Sequence, residues 1–253
     1  GMGEIYEADH VSIPRKFAVK ILRGDYADDP EALKRFHREA SIAASVGSAH
    51  IVEVFDFNQA EDGCLYMAME LLEGEPLTDY LLRTGQVDPW RWLSLLTQIG
   101  SGLDAAHRAG VVHRDLKPDN LFLARNDRED EILKILDFGI SKIKTTETMQ
   151  TQAGAILGTP NYMSPEQARG KPVDHRIDIW AVGVMLYEML SGRLPFNGMS
   201  YNEILGEILL ETPPPLAEVA AEVPPGLVTV VERAMAKVPD ERYPSVAAMI
   251  HDL

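Results

Sequence analysis

Short apolar runs rich in β-branched and aromatic residues mark the first part of the chain. They cover residues 17–22, 52–57 and 65–69, and each is the length of a single strand. Between the first two runs, residues 31–46 have a helical pattern that stops at Gly47. This order predicts a small sheet accompanied by one helix.

The pattern becomes helical from Asp88 onward. Asp88 can cap a helix, Pro89 suits the first helical position, and apolar residues then recur at steps of three or four before Gly110. Further helices are predicted at residues 177–191, 201–210, 226–237 and 245–253. The second part of the chain is therefore expected to be mainly helical, and the Gly- and Pro-containing residues 70–76 suit a connector that lines a cleft.

Composition narrows the class of protein. Of the 253 residues 45% are hydrophobic, which is enough for a sizeable core, and the single cysteine, Cys64, cannot form an internal disulfide. We therefore expect a protein of the reducing cytoplasm. The net charge of −15 argues against nucleic acid as the main ligand. The most apolar stretch, residues 177–190, is shorter than the roughly 20 residues that span a bilayer, so no membrane contact is expected from this segment.

Three short motifs carry the chemistry. His-Arg-Asp-Leu-Lys-Pro-Asp-Asn occupies residues 113–120, Asp-Phe-Gly occupies residues 137–139, and Ser-Pro-Glu occupies residues 164–166. A match of eight residues arises by chance at a frequency on the order of 10⁻¹⁰ per position. In these motifs the chain resembles the protein kinases, specifically the bacterial eukaryotic-like serine/threonine kinases.

The resemblance implies an α+β, bilobal fold with a small antiparallel-sheet N-lobe, one helix in that lobe, and a mainly helical C-lobe. It places the N-lobe at residues 1–69, the hinge at 70–76 and the C-lobe at 77–253. The activity it implies is that of a non-specific serine/threonine protein kinase, which uses ATP and Mg²⁺, with Mn²⁺ as an alternative. Its partners would be proteins with Ser or Thr acceptors.

Four residues receive catalytic roles from the resemblance. Asp115 would accept the proton of the substrate hydroxyl, and Lys117 would reach the γ-phosphate. Asn120 and Asp137 would bind the metal through oxygen, the ligand type that a hard cation requires. Lys117 followed by Pro118 is the pattern of serine/threonine kinases, so Ser and Thr acceptors are favoured over Tyr.

The nucleotide-binding residues are also assigned by resemblance. Lys20 would hold the α- and β-phosphates and pair with Glu39 on the N-lobe helix. Met69 would be the gatekeeper before the hinge. The remaining positions are the backbone of Glu70 and Leu72 at the base edge, and the side chains of Ile5, Ala18 and Phe122 around the purine.

The glycine-rich loop departs from the pattern of the family. A complete loop reads Gly-x-Gly-x-x-Gly-x-Val, and here Gly3 aligns with the third glycine and Ile5 with the valine. The N-terminus is thus read as truncated within the nucleotide lid, with Gly1 as a scar of tag cleavage. Fewer backbone donors over the phosphates would weaken the affinity for ATP.

The resemblance also suggests how activity is regulated and supported. Thr151, and next Thr148, are the leading autophosphorylation sites in a hydroxyl-rich loop, and a homodimer could carry out that reaction. Glu166 is expected to pair with Arg242, and Asp178 to brace the backbone of the catalytic loop. His113 is interpreted as a core histidine near Phe138 without a catalytic role.

Two other function classes stay open. One is a pseudokinase that serves as a signalling scaffold, although Lys20, Asp115 and Asp137 are all retained. The other is a small-molecule phosphotransferase of the same fold, which would lack the segment from Gly158 to Glu166. The sequence leaves open the physiological substrate, the activating signal, the oligomeric state, and whether a membrane anchor and sensor follow Leu253.

Overall fold

The computed structural model of the chain describes residues 3–22, 46–60, 63–85, 87–125, 130–138 and 160–253. The strands in these ranges are β1 (Gly3–Asp9), β2 (Lys16–Leu22), β3 (Val54–Gln59), β4 (Leu65–Glu70), β5 (Gly74–Pro76), β6 (Leu121–Arg125) and β7 (Glu131–Ile135). The α-helices are α1 (Leu77–Thr84), α2 (Pro89–Arg108), α3 (Pro165–Ala168), α4 (Arg176–Ser191), α5 (Tyr201–Leu210), α6 (Leu216–Val219), α7 (Pro225–Ala234) and α8 (Val246–His251). An antiparallel sheet thus precedes a mainly helical lobe, which confirms the α+β fold expected from the sequence.

The first sheet has the strand order β1-β2-β4-β3, and all its pairs are antiparallel. Strand β4 alternates between buried and half-buried residues, so Leu65, Met67 and Met69 point to one side. Opposite them, Ala18 pairs with Met69 and Lys20 pairs with Met67. The helix predicted at residues 31–46 lies almost entirely outside the described residues.

The second predicted strand begins two residues too early. The sequence predicts residues 52–57, whereas β3 begins at Val54 and ends at Gln59. The preceding apolar residues belong to a contact with the C-lobe: Ile51 forms an isolated bridge with Ile135, and the Val52 N–H donates to the Ile135 carbonyl at 3.1 Å. Their hydrophobic character reflects burial between the lobes rather than membership of the sheet.

A second antiparallel sheet has the order β5-β6-β7 and carries the catalytic segments. Gly74 begins β5 at φ +149°, and a Cβ added there would lie 1.9 Å from the Leu123 carbonyl oxygen. Only glycine allows the two strands to approach so closely. Within the predicted hinge of residues 70–76, residues 71–73 lie outside strands, because Glu70 ends β4 and Gly74–Pro76 forms β5.

The long helix α2 begins as the sequence predicts. The Asp88 carboxylate accepts hydrogen bonds from the backbone N–H groups of Trp90 and Arg91 at 2.9 and 3.3 Å, and Pro89 occupies the first turn. One face of the helix is buried in the C-lobe, and it comprises Trp92, Leu95, Leu96, Ile99, Leu103 and Ala106. Helix α5 has the predicted bounds, whereas α7 ends at Ala234, three residues before the predicted Lys237.

Two separate clusters of buried side chains form the core of the described residues. The smaller one joins the N-lobe strands and consists of Ala18, Val52, Leu65, Met67 and Met69. The larger one fills the C-lobe around α4, in which 12 of the 16 residues are buried. Within the described ranges, none of the helices combines the length and apolar character that crossing a bilayer would require.

Candidate active site

One buried carboxylate holds the backbone of the proposed catalytic loop, residues 109–120 between α2 and β6. Asp178, in the first turn of α4, is 1% exposed, and its two oxygens accept the backbone N–H groups of His113 and Arg114, each at 2.9 Å. Arg114 has φ +70°, a left-handed conformation that costs energy for a residue with a side chain. The predicted bracing role of Asp178 is confirmed, and it places Asp115 at the end of a constrained turn.

His113 joins the catalytic loop to the Asp-Phe-Gly segment. Its side chain is buried, its ring centroid lies 5.0 Å from that of Phe138, and its Nε2 lies 2.9 Å from the Leu136 carbonyl oxygen. Phe138 is buried and Leu136 is half-buried. The interpretation of His113 as a core histidine is therefore confirmed.

The two candidate metal ligands lie at adjacent strand ends. The Asn120 side-chain amide donates to the Asp115 carbonyl at 2.7 Å, and the Leu136 N–H donates to the Asn120 carbonyl at 2.8 Å. The Asn120 Oδ1 has no hydrogen-bond donor among the described residues, so this oxygen remains available to a cation. Asp137 follows Leu136 with a carboxylate that is 52% exposed and a left-handed φ of +39°.

These two oxygen ligands fit a hard divalent cation that is shared with a nucleotide. Within the described residues, no three His, Cys, Asp or Glu side chains converge in a way that could hold a metal ion on their own. A cation held by Asn120 and Asp137 would need phosphate and water oxygens to complete its shell, which is the usual arrangement for Mg²⁺ at phosphate-transferring sites.

Two lysines bring positive charge to the carboxylates of the site. Lys20 Nζ, on the N-lobe strand β2, donates to Asp137 Oδ1 at 2.8 Å and thereby links the two lobes across the cleft. Lys117 Nζ lies 4.0 Å from Asp115 Oδ2. The predicted partner of Lys20, Glu39, lies outside the described residues, so that pair stays a prediction.

Most of the proposed nucleotide-binding positions line the inner side of the N-lobe sheet and the hinge. Ala18 and Met69 are each 8% exposed and lie directly across from one another in the β2–β4 pair. Ile5 is 64% exposed and lies opposite Lys20, while Gly3 begins β1 opposite Leu22.

The remaining proposed nucleotide-binding positions lie in the hinge and on the C-lobe side of the cleft. The Glu70 side chain is held by Lys134 at 2.6 Å and by the Glu53 N–H at 2.8 Å. Leu72 follows β4, and its backbone makes no hydrogen bond to another described residue. Phe122, half-buried on β6, lies opposite Pro76 in the β5–β6 pair.

The Ser-Pro-Glu segment is anchored by a buried ion pair. Both guanidinium ends of Arg242 donate to the Glu166 carboxylate, at 2.7 and 2.8 Å, and both residues are less than a tenth exposed. This confirms the predicted pair. Arg242 also donates to the backbone carbonyls of Ala236 and Arg176, so its charge is well satisfied.

Two supporting residues are absent from the sequence prediction. The Gln167 amide donates to the Arg114 carbonyl at 2.9 Å, and His107 Nε2 lies 2.8 Å from Asp178 Oδ2. Ser164 and Gln167 form a capping box at the start of α3, so the Ser-x-x-Gln pattern could have revealed the helix. The contact of His107 with Asp178 spans 71 positions and has no local signal.

A hydrogen-bonded pair, Tyr162 and Glu188, lies beside the Ser-Pro-Glu segment. The Tyr162 hydroxyl donates to Glu188 Oε2 at 2.6 Å. Burial, with the neighbouring Glu188 carboxylate, raises the pKa of Tyr162 far above its ordinary value of 10, so Tyr162 stays a donor. Burial also raises the pKa of Glu188 above its usual range, and the nearby Asp119 adds to this effect.

The candidate phosphosites Thr148 and Thr151, and Gly139, lie outside the described residues.

The geometry agrees with the relationships of the chain. Residues 1–253 match the family described as protein kinase domain. The chain belongs to the protein kinase family. Serine/threonine-protein kinase Pkn1 of Myxococcus xanthus is 44% identical over 251 residues, which are 98% of this chain and 35% of Pkn1. Serine/threonine-protein kinase PknB of Mycolicibacterium smegmatis is 39% identical over 257 residues, which are 100% of this chain and 40% of PknB.

The fold of this kinase is also found in solved structures. The crystal structure of the Mycobacterium tuberculosis PknI kinase domain superposes with a TM-score of 0.74 at 27% identity, and the match covers 99% of this chain and 89% of that one. The chain spans less than half the length of Pkn1 and PknB.

Proposed function

We propose that this kinase transfers the γ-phosphate of ATP to Ser and Thr hydroxyls of proteins. The observation that carries the proposal is the continuous set of contacts that joins the proposed catalytic residues. Asn120 binds the backbone of Asp115, Leu136 binds the backbone of Asn120, and Lys20 reaches Asp137 from the opposite lobe. Positioning and charge neutralisation are the two kinds of help that phosphoryl transfer requires.

Each residue in this network has a defined task. Asp115 would accept the hydroxyl proton of the acceptor residue as the oxygen attacks in line, and the constrained backbone on either side keeps its carboxylate oriented. Lys117, which lies 4.0 Å from Asp115, would stabilise negative charge on the transferred phosphoryl group. Lys20 would hold the α- and β-phosphates. Asn120 and Asp137 would hold Mg²⁺, or Mn²⁺ in its place, which neutralises phosphate charge when bound.

The adenine would lie between the lobes. Ala18 and Phe122 provide apolar surfaces from the two sheets, and Met69 provides the gatekeeper side chain. The Leu72 backbone, without a partner among the described residues, and that of Glu70 are available for the edge of the base.

We also propose that the kinase phosphorylates its own loop at Thr151 or Thr148, through encounters between two copies. Arg114 immediately precedes Asp115, and an arginine at this place could pair with a loop phosphate. A cytoplasmic location suits a domain whose single cysteine, Cys64, has no internal partner for a disulfide.

The test is the intact mass of the chain after incubation with ATP and either Mg²⁺ or Mn²⁺. We expect added phosphates that map to residues 148 and 151, and a rate about 10²- to 10⁴-fold lower for Asp115→Asn because the proton acceptor is lost. Asp79→Asn makes the same charge change on the exposed side of α1 and should leave the rate unaltered. Absence of any mass gain with either metal, on a chain shown to be folded, would favour the scaffold alternative.

A further inference from the structure

The peptide group that leads into the proposed proton acceptor is held by side chains from distant parts of the chain. Arg114 has the left-handed φ of +70°, and its N–H donates to Asp178 Oδ1 at 2.9 Å. Its carbonyl oxygen accepts the Gln167 side-chain amide at 2.9 Å, and the Asp115 N–H donates to His113 Nδ1 at 3.3 Å. A strained conformation persists only where the surroundings impose it. Gln167 therefore holds the oxygen end of the peptide group between Arg114 and Asp115.

Both ends of the Gln167 side-chain amide have a defined partner. Nε2 donates to the Arg114 carbonyl, and Oε1 accepts the Ser164 N–H at 3.0 Å. Only this orientation of the amide satisfies both groups, because a carbonyl requires a donor and an N–H requires an acceptor. The helix start that carries Gln167 is itself fixed, since Ser164 is buried and Glu166 is paired with Arg242. Gln167 thus ties the start of α3 to the turn before the proposed proton acceptor.

From these contacts we infer that Gln167 is a positioning residue for phosphoryl transfer. By holding the Arg114 carbonyl it sets the peptide plane that leads into Asp115, and thereby the direction of the Asp115 carboxylate. This role rests on the proposed function, in which Asp115 accepts the hydroxyl proton. A helix cap requires only the acceptor atom Oε1, so the donor half of the amide is the part that serves the reaction.

Replacing the amide by a carboxylate separates its two halves. Gln167→Glu keeps an oxygen for the Ser164 N–H and loses the donor to the Arg114 carbonyl. We expect the maximal rate of mass gain with ATP and Mg²⁺ to fall by about tenfold, because a small displacement of a reacting group is enough for such a loss. The half-saturating concentration of ATP should change by less than about twofold. Gln167→Met removes both halves without adding a charge, and it should lower the maximal rate to a similar extent.

A change of pH should restore the missing donor in Gln167→Glu. The charged residues that line the same small cavity as Gln167 are Arg114, Asp115, Lys117 and Asp178. A carboxyl introduced beside two carboxylates binds a proton more readily, and once protonated it can donate as the amide does. Relative to the unchanged chain, the maximal rate of Gln167→Glu should therefore rise by about fivefold from pH 8 to pH 6. The relative rate of Gln167→Met should stay constant, since a purely structural loss does not respond to a proton.

Gln98→Glu is the matched control on α2. Gln98 Oε1 accepts the Leu133 N–H at 2.8 Å, a bond that a carboxylate also accepts, so the rate should be unaltered at both pH values. Circular dichroism verifies that each variant is folded, and Gln167→Met provides the rate test independently of Gln167→Glu.

The outcomes distinguish the role of Gln167 from the proposed function. Unaltered maximal rates in Gln167→Glu and Gln167→Met, beside an active unchanged chain, would overturn the positioning role alone. A loss in Gln167→Glu that is the same at pH 8 and pH 6 would also overturn it, since the donor would then not be the part that matters. No mass gain by the unchanged chain with either metal would instead overturn the proposed function, and the role of Gln167 with it.

Discussion

The two sides of the catalytic cleft are built differently. On the C-lobe side, the buried Asp178 accepts the backbone N–H groups of His113 and Arg114, immediately before Asp115. The Asn120 side-chain amide in turn donates to the Asp115 carbonyl. On the N-lobe side, Lys20 projects from a sheet whose buried cluster has five members among the residues that the structure describes. The residues proposed to handle the proton and the metal are thus fixed, whereas the lysine proposed to hold the phosphates projects from a sheet with a smaller buried cluster among the described residues.

This difference suits the order of events at such a site. A general base has to be positioned to within a fraction of an ångström, and a packed, hydrogen-bonded loop provides that precision. In the proposed reaction, nucleotide would enter and leave between the lobes, and the small buried cluster of the described N-lobe residues permits that side to adjust at low cost. The contact between Lys20 and Asp137 is the point where the fixed and the adjustable side meet.

The largest expected effect comes from breaking the C-lobe support. Arg242→Met leaves the Glu166 carboxylate buried without its partner, so we expect the free energy of unfolding to fall by about 3 to 5 kcal/mol. Urea titration followed by circular dichroism measures this change. Arg108→Met removes an exposed pair with Asp104 and should change stability by less than about 0.5 kcal/mol. Similar losses in both variants would contradict the contrast between buried and exposed support.

The second prediction concerns the N-lobe side. Lys20→Met should lower the rate of phosphoryl transfer by about 10²- to 10³-fold because the phosphates lose a fixed positive charge. Its contribution to folding should be below about 1 kcal/mol, since its partner Asp137 is half exposed. Lys16→Met, an exposed change on the same strand, is the control for both measurements. A loss of stability as large as that of Arg242→Met would remove the distinction between the two sides.

The smallest predicted effect is a pH dependence confined to the C-lobe. Burial lowers the pKa of Lys237 from 10.5 to about 8, and the nearby Arg169 adds to this shift. Between pH 8 and 10.5 the unfolded chain therefore binds more protons than the folded chain, so the free energy of unfolding rises with pH in that window.

Because Lys237 is partly exposed, the rise should be about 1 kcal/mol. Lys237→Met should remove it, and urea titrations at pH 8 and pH 10 measure the difference. Lys171→Met, at an exposed position, should retain the full rise. A slope that is unaltered by Lys237→Met would show that another group titrates.

The sequence was most informative where chemistry or local geometry restricts the residue. The cap at Asp88 and the bounds of α5 follow from local signals, and the Glu166–Arg242 pair follows from the motif resemblance. These predictions succeed because helix ends and shared motifs impose the same contacts wherever they occur.

The remainder depends on contacts between distant parts of the chain. The early start predicted for β3 arose because Ile51 and Val52 are buried outside the sheet, Ile51 in the C-lobe cluster and Val52 in the N-lobe cluster. Helix α1 follows directly on β5 and has no side-chain cap, so its start has little local signal. The tie between Gln167 and Arg114 joins positions 53 residues apart, which no periodicity records.

The pairing of β6 with β7 makes the relative position of the two proposed metal ligands independent of the length of the segment between the strands. Leu121 lies opposite Ile135 and Arg125 opposite Glu131, so Asn120 and Asp137 adjoin the open end of a hairpin. Their separation is set by strand register and not by the number of residues between Arg125 and Glu131. Evolution, or an engineer who inserts a reporter domain after Arg125, can thus lengthen the connection between the strands while Asn120 and Asp137 keep their relative positions.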